Sequence, residues 1–198
     1  MLPIDQFRQN IDRLKTLFGM HTAIRSRVTP ALDPSDILRA TIVLTVSALD
    51  QLVHEVVRVG MLEAYTGARP ETDALRRFEV SLASVRLATT NPARLDWFDA
   101  EVRSRHSFLT FQRPDKIADG IRLITDVQLW QTIAQAMNAR PEDIRRRLNL
   151  IVTRRNQIAH EADMNPAFPG TRWPISEADV VDVISFVSHL GETLVSVT

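Results

Sequence analysis

Apolar residues recur at three- and four-residue intervals along nearly the whole chain, and no stretch alternates with the period of two that a half-buried strand requires. Ile4, Phe7, Ile11, Leu14, Leu17 and Phe18 keep this spacing and predict a first helix over Ile4 to Ser26. The break at Thr29-Pro30 leads to a second helix in which Asp33 is the expected N-cap, Pro34 suits the first turn and Asp36 completes a capping box. That helix is expected to reach Tyr65 and stop at Gly67. It is apolar almost all round over Ile42 to Leu49, so it should be the central buried helix.

Between Glu71 and Asn138 the pattern is less regular and is punctuated by Pro92 and Pro114. Shorter helices are predicted over Thr72 to Ala88, Pro92 to Phe108, Pro114 to Ile124 and Val127 to Met137, with Asn91-Pro92 as a start signal. A further helix begins after Arg140-Pro141-Glu142-Asp143 and ends near Ala162, followed by the loop-forming run Asn165-Pro166-Ala167-Phe168-Pro169-Gly170. The last helix opens at Ser176, with Asp179 three residues on as a second capping box, and presents Val180, Val183, Ile184, Val187 and Leu190 on one face. The fold class is therefore all-α. With 198 residues and 44% hydrophobic content the chain can bury a proper core, and one domain spanning 1–198 is expected.

The helix after Pro141 carries an anomaly. At about 100° per residue, Ile144, Leu148, Ile151, Val152, Arg155, Ala159 and Ala162 share one stripe, which puts the Arg155 guanidinium among apolar neighbours. An unpaired charge there costs several kcal/mol, of order ~3–5. Arg155 must therefore meet an acid, face a subunit interface or await an anionic ligand. Asn156 and His160, four residues apart, sit together on the flank of the same stripe.

Arginine, amide and imidazole suit phosphodiester chemistry. Arginine forks onto phosphate oxygens and stays charged; histidine exchanges a proton near neutrality. RNA brings its own nucleophile, the 2′-hydroxyl, so neither a metal nor a cofactor is needed. In-line cleavage calls for both a base and an acid, and one imidazole is too few; two copies facing each other across a two-fold axis supply both.

The arginine, a polar residue, three further positions and a histidine near a helix end resemble the R-X4-6-H motif of the HEPN superfamily. The wider chain is similar to its RiboL-PSP-HEPN branch: the acid-capped helix from Asp33-Pro34-Ser35-Asp36 to Ala48-Leu49-Asp50, the segment Thr110 to Ile117, the Trp130 helix, then Arg154 to Asp163. The resemblance implies a HEPN-like helical bundle with additional short helices. It also implies a metal-independent endoribonuclease assembled at a homodimer interface, with Arg155 and His160 catalytic and Asn156 in support. Many such proteins are toxins or phage-defence effectors, so a cognate antitoxin or regulator is an expected partner. Nucleotidyltransferase-controlled members carry a tyrosine two residues after the histidine; Ala162 stands there, which puts that form of control in doubt. The alternative is a non-catalytic module of the same fold that binds RNA, a nucleotide or a protein. A dimerisation domain in which Arg155 pairs with an acid is the blandest reading.

Charge refines these expectations. Formal net charge is zero, which argues against coating nucleic acid through bulk electrostatics. Locally, Arg145, Arg146, Arg147, Arg154 and Arg155 occur with no acid among them, and Arg154, Arg147, Arg146 and Glu161 are the candidate substrate-binding residues. The ordinary explanation of the triple arginine is a solvated helix face. Glu161 and Asp163 are expected to pair with Arg154 or Arg155 in preference to binding metal. Asp50 or His54 could reach the motif helix and account for Arg155. Arg172 and Trp173 are more simply loop-packing residues than substrate contacts, and His21, His106 and His189 read as isolated surface or satisfied histidines. No cysteine is present, which excludes disulfides and thiol catalysis. The start, Met1 to Gln6, lacks a basic stretch followed by an apolar run, and Ala40 to Leu49 is followed closely by Asp50, Glu55 and Arg58. A cytoplasmic protein that does not engage a membrane is expected.

Overall fold

A computed structural model describes residues 1–29, 32–90 and 94–198. Among these residues the regular structure is helical: α1 Pro3–Arg25, α2 Ser35–Tyr65, α3 Asp73–Arg76, α4 Leu82–Thr90, α5 Asp96–His106, α6 Pro114–Ile121, α7 Leu129–Ala136, α8 Pro141–Glu161 and α9 Glu177–Val197. The only strand-like pairing among them is an isolated antiparallel bridge between Met164 and Arg172. The periodicity in the sequence thus becomes an all-α bundle.

The 31-residue α2 is its axis, packing against α1, α5, α6, α8 and α9. Leu49, Leu52, Val53, Val57 and Met61 of α2 are wholly buried, which is what an apolar circumference requires. α9 completes the centre with Val180, Val187, Leu190 and Leu194. It approaches α1 closely at Gly191, where a Cβ would lie 2.5 Å from the Phe7 ring. By length and composition α2 and α9 could each cross a membrane, yet half of each apolar window is buried inside the bundle. Their apolar residues form its core.

The starts and stops follow local chemistry in part. Ser176 and Asp179 form the expected capping box of α9, each side chain meeting the other's backbone N–H. At α2 the expected box is absent. Asp33 accepts hydrogen bonds from the Ser35 backbone and hydroxyl, but Asp36 is drawn instead to Arg172, with Arg39 3.8 Å away. The helix predicted over Thr72 to Ala88 is broken at Arg77 to Ser81. Phe78 and Val80 turn toward the core there, and Ser81 donates both its N–H and its hydroxyl to buried Glu101 on α5. A tertiary carboxylate therefore overrides the helical periodicity. The α6 and α7 helices are shorter at their ends than predicted, and α5 begins at Asp96; the Asn91-Pro92 start signal lies outside the described residues.

Candidate active site at the end of α8

The α8 stripe divides at its middle. Ile144, Leu148, Ile151 and Val152 are buried against the bundle as expected, but Arg155 is only half-buried and Ala159 and Ala162 are exposed. The apolar stripe thus runs past the edge of its own chain's core. Leu150, also on α8, is 65% exposed.

Arg154 and Arg155, adjacent in sequence, have opposite surroundings. Arg154 donates from Nη2 to Asp163 Oδ2 at 2.9 Å and to the Pro174 carbonyl at 3.1 Å. Its Nη1 lies 2.6 Å from Asp163 Oδ1 without hydrogen-bond alignment, an ionic contact. Arg155 has no carboxylate partner among the described residues. Its Nη1 donates to Asn156 Oδ1 at 3.0 Å, and its Nε is buried with no hydrogen bond. The first of the three explanations for Arg155, an acid within the chain, is thereby removed. Asp50 and His54 do not supply one: Asp50 accepts from the Phe111 N–H and from Gln112 Nε2.

His160 is exposed in the last turn of α8, one turn beyond Asn156 on the same flank. Arg155 and His160 are five residues apart, about 7.5 Å along the axis, and are not bonded to each other within the protomer. Glu161 is exposed and forms no ion pair among the described residues. Arg146 and Arg147 do not join this group. They lie about 12–14 Å along the axis before Arg155 and about 20 Å before His160, where Arg146 donates to Asp143 at 3.2 Å and Arg147 pairs with Asp182 and stacks over Phe186 at 4.5 Å.

The turn that ends α8 holds a residue whose full role the sequence only hinted at. Ala162 and Asp163 both adopt left-handed backbone conformations, with φ of 51° and 59°, and the Asp163 N–H closes the helix on the Gln157 carbonyl. The Asp163 side chain is completely buried and accepts from Arg39 Nε at 2.7 Å as well as from Arg154. The expectation that Asp163 holds an arginine in place fits Arg154; Arg39, drawn from the start of α2, is the partner no local pattern reveals. The loop after it is packed down by Asn165, which accepts from Ala167, by the Trp173 N–H on the Asp163 carbonyl, and by the Arg172 to Asp36 pair.

A second polar cluster lies between α2 and α5. His54, Glu55, Arg58, Arg103 and His106 line a cavity of about 280 Å³. His106 is buried, which removes the surface alternative of its two expected states, and packs against Phe78 and Phe111. Burial, helped by the nearby His54, lowers its pKa to about 4. Arg58 and Arg103 are neutralised by Glu55 and Asp99. His21 is also buried, with Nδ1 3.1 Å from Glu177 Oε1.

No curated protein and no solved structure matches this chain. The family model described as RiboL-PSP-HEPN matches residues 8–197, which takes in most of α1 and all of α2 to α9, and the chain therefore belongs to the RiboL-PSP-HEPN family of the HEPN superfamily.

Proposed function

We propose that the protein is a metal-independent endoribonuclease whose site forms where two copies bring their α8 C-termini together. The observation that carries this reading is Arg155: a half-buried guanidinium with no acidic partner among the described residues, a buried unbonded Nε, and an amide and an exposed imidazole beside it. Family membership supports a role on RNA. The uncovered stripe at Ala159 and Ala162 supports a second copy as the surface that completes the site.

In the assembled site Arg155 neutralises the scissile phosphate and the charge that builds on its equatorial oxygens. One His160 removes the 2′-hydroxyl proton as that oxygen attacks phosphorus. The His160 of the second copy protonates the departing 5′-oxygen. The products are a 2′,3′-cyclic phosphate and a 5′-hydroxyl end. Asn156 holds Arg155 at the correct angle through the bond already present, and Glu161 borders the site. A cytoplasmic toxin or phage-defence effector, held in check by a cognate antitoxin or regulator, is the biological setting this reading favours.

The test is incubation of the wild type and His160→Ala with total RNA in EDTA, once both are found folded and of equal oligomeric state. Cleavage by the wild type alone, leaving cyclic phosphate ends, is the expected result. Cleavage that EDTA abolishes, or 3′-hydroxyl ends, would remove the mechanism. If both proteins bind RNA and neither cleaves it, the domain is a binding module of the same fold.

A further inference from the structure

We infer that Asp163 is a positioning residue for the α8 site: with Arg39 and Arg154 it forms a buried clasp that fixes the last turn of α8 and keeps Arg155 free. The inference rests on the ribonuclease reading for its catalytic consequence but on geometry alone for the clasp.

Three features converge on this carboxylate. It is wholly buried, and it is shared by guanidiniums from two helices that are distant in sequence, Arg39 at 2.7 Å and Arg154 at 2.9 Å. Arg39 is itself buried and is held by the Ser35 hydroxyl at 2.6 Å and the Trp173 carbonyl at 2.9 Å, so the carboxylate is anchored to the start of α2 and to the loop behind it. Finally, Asp163 and Ala162 both have left-handed backbones, which L residues with a Cβ adopt only when their surroundings impose it. His160 stands two residues before this forced turn.

Two consequences for the site follow. The Arg154 guanidinium is turned toward Asp163 and the Pro174 carbonyl, and its neighbour Arg155 is left as the arginine without a carboxylate among the described residues. The imidazole of His160, on an exposed final turn that would otherwise fray, is carried on backbone closed by the Asp163 N–H on the Gln157 carbonyl, joined to the following loop by the Trp173 N–H on the Asp163 carbonyl, and tied to α2 through the Asp163 carboxylate and Arg39. Displacing a reacting group by about 1 Å can cost roughly 100-fold in rate, so a clasp this close to His160 acts on catalysis without touching substrate.

Asp163→Asn keeps the shape and removes the charge. With isotopically labelled histidine and no RNA present, the His160 ring resonance, identified by its loss in His160→Gln, is expected to shift or broaden while that of exposed His189 stays in place. With RNA, kcat should fall by about tenfold or more with KM changed by less than about twofold. If Asp163→Asn does not fold, Arg39→Lys carries the same readouts: it keeps the positive charge but loses the fork that joins Ser35, Asp163 and Trp173, and smaller changes in the same direction are expected. A folded variant with the wild-type His160 resonance overturns the clasp, whether or not the enzyme cleaves RNA. A shifted resonance in a protein that never cleaves RNA upholds the clasp and counts against the ribonuclease reading alone.

Discussion

The two ends of α8 are both rich in arginine, yet they do different work. Near the start, Arg140 and Arg146 meet Asp143, and Arg147 meets Asp182 and lies over Phe186, with all three arginines exposed. Near the end, Arg154 meets a carboxylate with no exposure at all, and Arg155 meets none. Exposed pairs contribute about 0–1 kcal/mol and are screened by salt. A buried carboxylate shared by two guanidiniums is a different object, since removing it strands the buried charge of Arg39 away from water and leaves the partly exposed Arg154 unpaired. Arginine density along a helix therefore does not identify a binding surface. The position of the counter-charge decides which arginine is structure, which is solvated and which is available.

The largest effect expected from this contrast is on activity. Arg155→Ala should lower ribonuclease kcat by roughly 100-fold or more, as loss of a preorganised charge at a developing oxyanion does, whereas Arg146→Ala should stay within about threefold. Equal losses in single-turnover assays on the same RNA would erase the distinction between the two ends. Stability comes next. Asp163→Ala should destabilise the fold by about 3–5 kcal/mol, and Asp182→Ala by no more than about 1 kcal/mol; urea unfolding midpoints compared at matched slopes read both, and comparable midpoints would mean that Asp163 is not the anchor described.

The smallest effect supplies a control away from α8. In the unfolded chain His106 titrates near the usual 6.5, and in the folded protein near 4, because burial and the neighbouring His54 disfavour its charged form. Between those values the unfolded state binds more protons. Stability from this group is thus fully present above about pH 6.5 and is lost as pH falls toward 4, by at most about 3 kcal/mol. Glu101 adds to the loss further down: hydrogen bonds from Ser84, Arg105 and Ser81 hold its pKa near 2, so its contribution disappears as pH falls below the ordinary carboxylate range. Denaturant midpoints measured from pH 7.5 to pH 4 in wild type and His106→Phe should diverge, the variant losing less; parallel curves would show that His106 is not the group responsible.

Much of the fold was legible because helices announce themselves locally. The α1, α2, α8 and α9 spans follow from apolar spacing, and the Ser176 to Asp179 capping box is complete within four residues. The misreadings share a cause. Asp36 was drawn to Arg172 and Ser81 to Glu101, in each case by a partner far away in sequence. The candidate site shows the same division. Its residue types and spacing, Arg155, Asn156 and His160, stand together in one turn and a half of helix. What the spacing could not show is that the apolar stripe leaves its own core after Val152, so that Arg155 is half-exposed instead of buried.

The sequence by itself determined that the chain is helical, where its longest helices run and which short segment carries arginine, amide and imidazole together, because periodicity, caps and spacing act within a few residues. Only the tertiary structure decided that Asp163 is buried between Arg39 and Arg154 and that Arg155 is left without an acid. Two adjacent arginines look alike in sequence. Their difference arises from a carboxylate whose burial, and whose second partner 124 residues away, exist only once α2 and α8 have packed.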